Sequence, residues 1–405
     1  MKEPKIRFKG FDGEWEESTL LDVVTLYNGL TYTPNDVSDH GTLVLRSSNV
    51  QEGEISLLNN VFVKSEVATS PNVQKGDIIV VVRNGSRALI GKHAQIKTNM
   101  PNTVIGAFMA GMHTDEPEFI NALLCTSSFD NEVTINLGAT INQITNGTFR
   151  SMKFLFPEKE EQKTLGSYFQ HIDSLIQSTT KKIESLKQVK VASLQSMFPQ
   201  EGETKPRVRF KGFEGDWENV PLSSFAKKST EKNGNMNYTI TLTNSAEYGV
   251  INQRDFFDHD ISNDEHINGY YVIHNDDFVY NPRISASAPV GPINRNRLGY
   301  SGVMSPLYLI FKVEGINKDF LSYFFKTKLW HNYMKLEGNT GARFDRLAIS
   351  DAQFFNMPVI MPKQEKEQIV IASFFTNLDT QITLQTQRLE KLKQIKSACL
   401  DNMFV

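Results

Sequence analysis

The sequence predicts a mixed α/β (α+β) fold with an internal repeat: two similar globular domains separated by a pair of long antiparallel coiled-coil helices, related by pseudo-two-fold symmetry. Two pairs of matching segments, and the diverged bodies between them, lead to this prediction. The segments "PKIRFKGFDGEWE" (4–16) and "PRVRFKGFEGDWE" (206–218) lie 202 positions apart, and 9 of their 13 residues are identical. Such a match indicates that the chain is a duplication.

Each half also ends in a long segment with helical periodicity. Residues 162–198 and 368–404 match at a constant offset of 206, with 15 of 37 positions identical. Apolar residues recur in both at spacings of three, four and seven, which predicts an amphipathic helix. The stripe comprises Ile172, Ile176, Ile183, Leu186 and Met197 in the first half and Leu378, Ile382, Leu389, Leu392 and Met403 in the second. A helix of about 37 residues is roughly 55 Å long and too polar to be stable alone, so we expect the two to pair; the alternative is that each packs on its own domain.

The two bodies between these segments are predicted to mix strands and helices. Strand-like runs are 77–83, 277–283 and 307–313, and helix-like runs are 115–126 and 317–336. The polar stretch "PQEGETKP", bounded by prolines, predicts a linker between the halves. We place the first domain at 1–155, the first long helix at 156–198, the linker at 199–206, the second domain at 207–360 and the second long helix at 361–405. The bodies share few landmarks, mainly Arg83 with Arg283 and Gly91 with Gly291.

Composition favours a cytoplasmic protein. The longest apolar runs fall far short of the roughly 20 residues that cross a bilayer, and the first residues are charged and polar. The two cysteines, Cys125 and Cys399, are far apart and form no CxxC pair, which argues against a disulfide framework or a cysteine zinc site. A net charge of −3 slightly disfavours a nucleic-acid binder, although only the local field matters for steering a ligand.

Motifs of catalysis are missing from the sequence. It contains no GxxxxGK[ST] phosphate loop, no HExxH and no GxSxG elbow. The stretch "FDHDISNDEH" (257–266) could be imagined as a metal site, but it is more typical of a solvated loop. "YNPR" (280–283) lacks the second proline and the aromatic residue of the motif found in amino-group methyltransferases. We therefore expect no catalytic residues and no metal site in this chain.

Polar loops after predicted strands are more informative, because they recur at equivalent places in both halves. Arg and Lys can pair with guanine edges and Asn and Gln with adenine, while Ser, Thr and Lys commonly hold phosphates. We hypothesise nucleic-acid contacts, to bases or phosphates, for Arg46, Ser48, Asn49, Arg83, Asn84, Ser86, Arg87, Lys92, Asn142 and Gln143 in the first body, and for Asn244, Arg283, Ser285, Arg295, Arg297, Arg343 and Arg346 in the second. The alternative for each loop is that its charged and polar side chains are exposed to solvent and contact no ligand.

The order of these segments resembles a known family. The motif RFKGF…W, a variable body, Gly-x-Thr, and then "FPEKEEQKTLGSYFQHID" (156–173) or "MPKQEKEQIVIASFFTNLD" (361–379), all present twice, is similar to the specificity subunit of type I restriction–modification enzymes. The resemblance implies that each body is a target recognition domain that reads one half of a split double-stranded DNA target. The long helices would separate these domains and dock the partner subunits.

The same resemblance implies partners and cofactors. Two methyltransferase subunits would methylate adenine at N6 with S-adenosylmethionine, and motor-nuclease subunits would use ATP and Mg²⁺. The chain itself would bind no cofactor and catalyse nothing. Because the bodies differ in sequence, we expect a target that is not a palindrome. The stretch 227–245 matches 28–49 poorly, so residues are not carried from one to the other there.

The sequence is also compatible with two other functions. The chain could instead be an adaptor that carries two peptide- or sugar-binding modules, or a stand-alone DNA methyltransferase.

The repeated RFKGF…W motif is nearly constant while the bodies diverge, so it should not read different half-sites. We therefore predict that its aromatic residues are docking anchors where each body begins; these are Phe8, Phe11, Trp15, Phe210, Phe213 and Trp217.

Overall fold

The structure is a computed structural model that describes residues 2–137, 142–256, 264–339 and 345–405. The chain divides into two compact units. Unit 1 comprises Met1–Lys181 with Thr386–Val405, and unit 2 comprises Lys182–Gln385. Each unit thus holds one body together with parts of both long helices.

The helices are short within the bodies and long at the end of each half. They are α1 (Leu20–Val23), α2 (Pro117–Leu123), α3 (Ser127–Asn136), α4 (Asn146–Ser151), α5 (Lys159–Ser196), α6 (Gln253–Phe256), α7 (Lys318–Phe324), α8 (His331–Glu337), α9 (Asp351–Phe355) and α10 (Glu365–Met403). The 38-residue α5 and the 39-residue α10 confirm the two predicted long helices. The predicted helix over 317–336 is divided into α7 and α8.

Strands of two to five residues make up the sheets of the bodies. In the first half they are β1 (Glu16–Thr19), β2 (Thr25–Asn28), β3 (Val37–Ser38), β4 (Thr42–Leu45), β5 (Val50–Gln51), β6 (Glu54–Ile55), β7 (Val61–Val63), β8 (Ile78–Val81), β9 (His93–Gln95), β10 (Thr103–Ile105), β11 (Met109–His113) and β12 (Lys153–Phe156). In the second they are β13 (Glu218–Pro221), β14 (Ala226–Lys228), β15 (Leu242–Ser245), β16 (Gly249–Asn252), β17 (Tyr271–Ile273), β18 (Phe278–Tyr280), β19 (Ile293–Arg295), β20 (Gly302–Met304), β21 (Leu309–Val313) and β22 (Pro358–Met361).

One antiparallel sheet has the same topology in both bodies. In unit 1 an antiparallel sheet has the order β2-β11-β8-β9, and in unit 2 the corresponding sheet has the order β14-β21-β18-β19. The strand that enters each body pairs with the strand that leaves it, as β1-β12 and β13-β22. The buried strands β8 and β18 confirm two of the predicted strands. Their residues are buried because alternate side chains belong to hydrophobic clusters on the two opposite faces of each sheet.

A hydrophobic core in each unit joins the body to the long helices. In unit 1, Trp15 packs edge-on against Phe404 at 6.1 Å between ring centroids, and Trp217 packs in the same way against Phe198 in unit 2 at 5.8 Å. Both indoles are buried, at 1 % and 3 % exposure. Phe8 contacts Tyr168 of α5 at 5.4 Å, and Phe210 contacts Phe374 of α10 at 6.0 Å. The predicted anchors thus pack onto the helices, while Phe11 and Phe213 are half-buried.

The arginine of the repeated motif is a structural residue. Arg7 holds the buried Glu161 through two parallel bonds, Nε to Oε1 at 2.8 Å and Nη2 to Oε2 at 2.7 Å, and donates to the carbonyl of Gly13 at 2.7 Å. Arg209 repeats the arrangement on Glu367, with bonds of 2.7 and 2.8 Å. The glutamate belongs to the "EQ" pair at the start of each long helix, so the matching segments hold each other in place.

Within each unit a segment of α5 packs antiparallel to a segment of α10. In unit 1, Tyr168 lies 3.3 Å from Cys399 through its hydroxyl, and five residues further along α5 the carboxylate of Asp173 pairs with Lys396 at 2.7 Å. In unit 2, Lys190 pairs with Asp379. Of the predicted apolar stripes, Ile172, Ile183 and Leu378 are among the buried residues.

No helix in the part of the chain that the structure describes is long and apolar enough to cross a membrane.

Candidate nucleic-acid interface

In the first body, three separate loops meet beyond the end of β8. Arg83 forms a bridge of antiparallel type with Gln143, which brings the loop after β8 beside the segment that leads into α4. Arg87 donates from Nε to Oδ1 of Asn142 at 2.9 Å, and Asn142 donates to the carbonyl of Gly85 at 3.2 Å. These contacts join residues that are about 55 positions apart in sequence.

The third loop comes from the end of β4. Asn84 donates to the hydroxyl of Ser47 at 3.2 Å, which ties the loop 46–49 to the loop 83–87. Asn84 also accepts from the backbone N–H of Ser86 at 3.0 Å, an Asx turn that fixes the loop. The structure therefore brings together most of the first-body candidates, namely Arg46, Ser48, Arg83, Asn84, Ser86, Arg87, Asn142 and Gln143.

Several of these side chains are open to solvent, and one lies against an aromatic ring. Ser48, Arg83, Ser86, Arg87 and Lys92 are exposed. The guanidinium carbon of Arg83 lies 5.2 Å from the ring centroid of Phe108, within the range of a cation–π contact. Arg46 is half-buried and donates to the carbonyl of Asn59 at 3.3 Å.

Asn49 is different, because its side chain is used inside the body. It is fully buried, accepts from the backbone of Arg46 at 3.0 Å and donates to the carbonyl of Ser56 at 2.9 Å. A buried amide with both ends satisfied has no edge left for a base. We therefore assign Asn49 to shaping the loop after β4 and not to contacting a ligand.

The second body repeats this arrangement with other residues. Arg283 forms an antiparallel bridge with Arg346, which is the counterpart of the bridge between Arg83 and Gln143. Asn281 accepts from the backbone N–H of Arg283 at 3.0 Å, again as an Asx turn. A cleft of about 480 Å³ opens here, lined in part by Asn244, Arg283, Ser285, Leu307, Tyr308 and Arg346.

A buried amide network supports this cleft from below. Asn244 is 2 % exposed; it donates to the carbonyl of Val279 at 2.9 Å and accepts from Asn294 at 2.7 Å. Asn294 in turn accepts from the ammonium of Lys326 at 2.6 Å. Burial, with the nearby charge of Lys190, lowers the pKa of Lys326. Asn244 thus positions the cleft, as Asn49 positions the loop in the first body.

Arg295 and Arg297 lie apart from the loop of Arg283. Arg295 donates to Asp276 at 2.6 Å and to Asp319 of α7 at 3.0 Å, and Arg297 also pairs with Asp319. Both line a second hollow that includes Asp379 of α10. Their charges are therefore compensated at the helix side of the body, although Arg297 is 44 % exposed. Arg343 lies outside the described residues, as does most of the acidic, His-containing stretch 257–266.

Sequence reasoning did not single out the apolar side chains beside these arginines. Phe108 and Leu307 are 53 % and 56 % exposed. One exposed apolar residue in a loop has no periodic signal, so only the fold reveals its neighbours. Asn281 lies two residues before Arg283, the same spacing as that of Asn84 before Ser86. That Asx spacing was the available signal.

A separate group of titratable side chains lies in unit 1 where the body meets the helices. Cys125 Sγ is 3.4 Å from His93 Nε2 and 3.9 Å from the ammonium of Lys396. The other ring nitrogen of His93 faces the carbonyl of Gly91 at 3.1 Å. Burial opposes ionisation of the thiol, but His93 and Lys396 outweigh it and lower the pKa of Cys125. Among the described residues no group of three or more His, Cys, Asp or Glu side chains could hold a metal ion.

Comparisons with known proteins agree with this architecture. The family described as "Type I restriction modification DNA specificity domain" matches twice, over residues 12–188 and 214–394. The StySPI specificity subunit from Salmonella potsdam is 26 % identical over 184 residues, 43 % of this chain and 40 % of that protein. The EcoKI specificity subunit from Escherichia coli K12 is 26 % identical over 185 residues, 43 % of this chain and 39 % of that protein. The matched stretch thus spans about two fifths of each curated relative.

A solved structure shares the fold over the whole chain. The type I restriction-modification S subunit from M. genitalium superposes with a TM-score of 0.63 at 13 % identity, covering 100 % of this chain and 99 % of that one. This likeness confirms the predicted fold, in which two mixed α/β domains are combined with long helices. Since the family matches both halves and most of the residues, the chain belongs to the type I restriction modification DNA specificity family.

Proposed function

We propose that this chain is the DNA-specificity subunit of a type I restriction–modification system, and that it selects a bipartite double-stranded target. The observation that carries the proposal is the recurrence of one loop arrangement in both bodies: the central strand ends in an exposed arginine, which is bridged to the segment before the last helix of the body. The frame is constant, whereas the side chains on it differ. A pair of readers with different specificity requires that combination.

Direct readout supplies the mechanism. Arginine donates bidentately to O6 and N7 of guanine, and asparagine and glutamine pair with adenine in the major groove. Arg83, Arg87 and Gln143 would read bases in the first half-site, and Arg283 and Arg346 in the second. Serines and Lys92 would hold phosphates, which sets the register without reading sequence. The Asx turns at Asn84 and Asn281 hold the loops ready, so less ordering is needed when DNA binds.

The long helices, on which the RFKGF…W segments pack, would provide the surfaces on which the partner subunits assemble. We propose that two methyltransferase subunits dock on the helices and methylate one adenine in each half-site at N6 with S-adenosylmethionine. Motor-nuclease subunits that use ATP and Mg²⁺ would join the same complex in the cytoplasm. The chain itself contributes recognition and no catalysis. Because the residues of the two bodies differ, the half-sites differ and the target is not a palindrome.

The complex with its methyltransferase subunits provides the test. Its affinity for DNA containing the target should fall steeply between 50 and 200 mM salt, by about 10³-fold or more if six or more phosphates are contacted. Methylated adenines mapped genome-wide should form one bipartite motif that disappears when the chain is deleted. An adaptor for peptides or sugars would have no salt-dependent DNA affinity, and its deletion would leave the methylated adenines unchanged.

A further inference from the structure

The loops that precede β11 and β21 occupy the same place in the two bodies. Met109 pairs with Val81 at the end of β8, and Leu309 pairs with Tyr280 at the end of β18. In both cases the residues just before the pair form the tip of a loop that lies beside the exposed arginine. The backbone N–H of Arg83 donates to the carbonyl of Phe108, at 3.2 Å.

Each of these tips presents a large apolar side chain to solvent. Phe108 is 53 % exposed and Leu307 is 56 % exposed. Exposed apolar residues are common singly, so neither would be informative alone. The informative feature is the repetition: an exposed apolar side chain stands next to the exposed arginine in both bodies, although the residue types differ.

The neighbourhood of each apolar side chain is cationic and polar. Arg83 lies over the Phe108 ring, and Leu307 lines the cleft with Arg283 and Arg346. The hydroxyl of Tyr308, beside Leu307, forms a hydrogen bond with the hydroxyl of Thr243 at 3.0 Å, so Tyr308 is part of the wall of the cleft. An arginine fork next to an apolar surface matches the major-groove edge of a guanine beside a thymine, whose C5 methyl is the apolar group that base edges offer there.

We propose that Phe108 and Leu307 are specificity-determining residues that contact thymine methyl groups, one in each half-site, next to a guanine read by Arg83 or Arg283. The inference rests on the proposed function and names the chemistry that its recognition loops take: a 5-methylpyrimidine beside guanine. The cationic surroundings favour DNA over a protein partner, because an arginine-rich rim suits phosphate and guanine together.

Deoxyuridine tests the contact, because it lacks the methyl group and keeps the hydrogen-bonding edge of thymine. Once the methylated motif is known, the affinity of the complex is measured by fluorescence anisotropy on duplexes with thymine or deoxyuridine in one half-site. Deoxyuridine in the first half-site should weaken binding by the wild-type complex about fourfold, the effect of burying one methyl group. Phe108→Ala should bind the thymine duplex more weakly and show no further loss with deoxyuridine.

Leu307→Ala should behave in the same way for the second half-site only, and each variant should keep the full deoxyuridine effect in the other half-site. Ile135→Ala and Leu336→Ala, which remove exposed apolar side chains from α3 and α8, serve as controls and should keep both effects. The inference is overturned if deoxyuridine weakens Phe108→Ala as much as the wild type, if the half-site has no thymine beside a guanine, or if Phe108→Ala impairs only subunit assembly. Failure of the proposed function would look different, as the complex would then bind no duplex in a sequence-specific manner.

Discussion

The ion pair between Arg7 and Glu161 offers a quantitative test of how the repeated motif holds unit 1 together. Glu161 is 1 % exposed, so replacement of Arg7 by methionine leaves a buried carboxylate without its cationic partner. Removal of one partner from a buried pair costs about 3–5 kcal/mol, whereas an exposed pair contributes only about 0.2–1 kcal/mol. The burial of Glu161 and the four hydrogen bonds made by Arg7 place this pair in the first class.

Hydrogen exchange followed by mass spectrometry measures this loss in each unit separately. Arg7→Met should raise the exchange of the most protected amides of unit 1 by about 10²–10⁴-fold, which corresponds to 3–5 kcal/mol. The matched variant Arg209→Met should do the same in unit 2 and leave unit 1 unchanged. Arg7→Lys should fall between, since an ammonium keeps the charge but cannot form the bidentate fork.

The double variant separates the charge from the packing. Arg7→Met with Glu161→Met removes both charges and leaves apolar side chains in their place, so it should be more stable than Arg7→Met alone. A loss of unfolding free energy below about 1 kcal/mol for Arg7→Met would refute the reasoning, because it would put the Arg7–Glu161 pair in the class of surface ion pairs. So would a double variant as unstable as the sum of the two single variants.

Four other predictions concern the cleft, a buried acid, a thiol and the candidate DNA contacts. Gly291 and Gly299 both have positive φ (+80° and +81°), but a Cβ at 291 would lie 2.1 Å from the carbonyl oxygen of Asn281, while a Cβ at 299 meets nothing. Gly299→Ala should therefore lower the free energy of unfolding in urea by about 1–2 kcal/mol, the cost of the backbone conformation alone. Gly291→Ala should lower it further and should also weaken DNA binding, because Asn281 is displaced. Burial raises the pKa of Asp277, so the stability that its protonated form contributes is lost as pH rises above the ordinary value of about 4. Because Asn stays uncharged, the wild type should lose unfolding free energy relative to Asp277→Asn between about pH 4 and pH 7, and a constant difference would contradict the assignment. His93 and Lys396 lower the pKa of Cys125 against the effect of burial, so the pH profile of Cys125 alkylation by iodoacetamide should shift upward in His93→Gln, and an unchanged profile would contradict this role of His93. Arg83→Ala should cost about 1–3 kcal/mol of binding and relax one base position, whereas Lys92→Ala should weaken all sequences alike; equal relaxation by both would contradict the distinction between base and phosphate contacts.

The long helices and the duplicated architecture could be predicted because their signals are local and repeated. The apolar stripe from Ile172 to Met197 has its period in the sequence itself, and the same stripe recurs from Leu378 to Met403. The strands β8 and β18 were predictable for the same reason, as short apolar runs bounded by aspartate and arginine.

The roles of single polar residues could not be predicted in the same way. Arg7 has the chemistry of a phosphate contact, and only the fold shows that Glu161 occupies its guanidinium. Asn49 and Asn244 are of the residue types that read adenine, but burial inside each body uses their amides for internal hydrogen bonds. Burial depends on contacts between distant parts of the chain, so a pattern of residue types cannot reveal it.

The exchange of one body tests the central claim most directly. Residues 219–360 would be replaced by the corresponding body of another chain of this family, and the methylated adenines would be mapped genome-wide in cells that carry the original or the exchanged chain. The account predicts that one half-site of the methylated motif changes while the other half-site stays the same. A change in both half-sites, or an unchanged motif, would contradict the claim that each body reads its own half of the target.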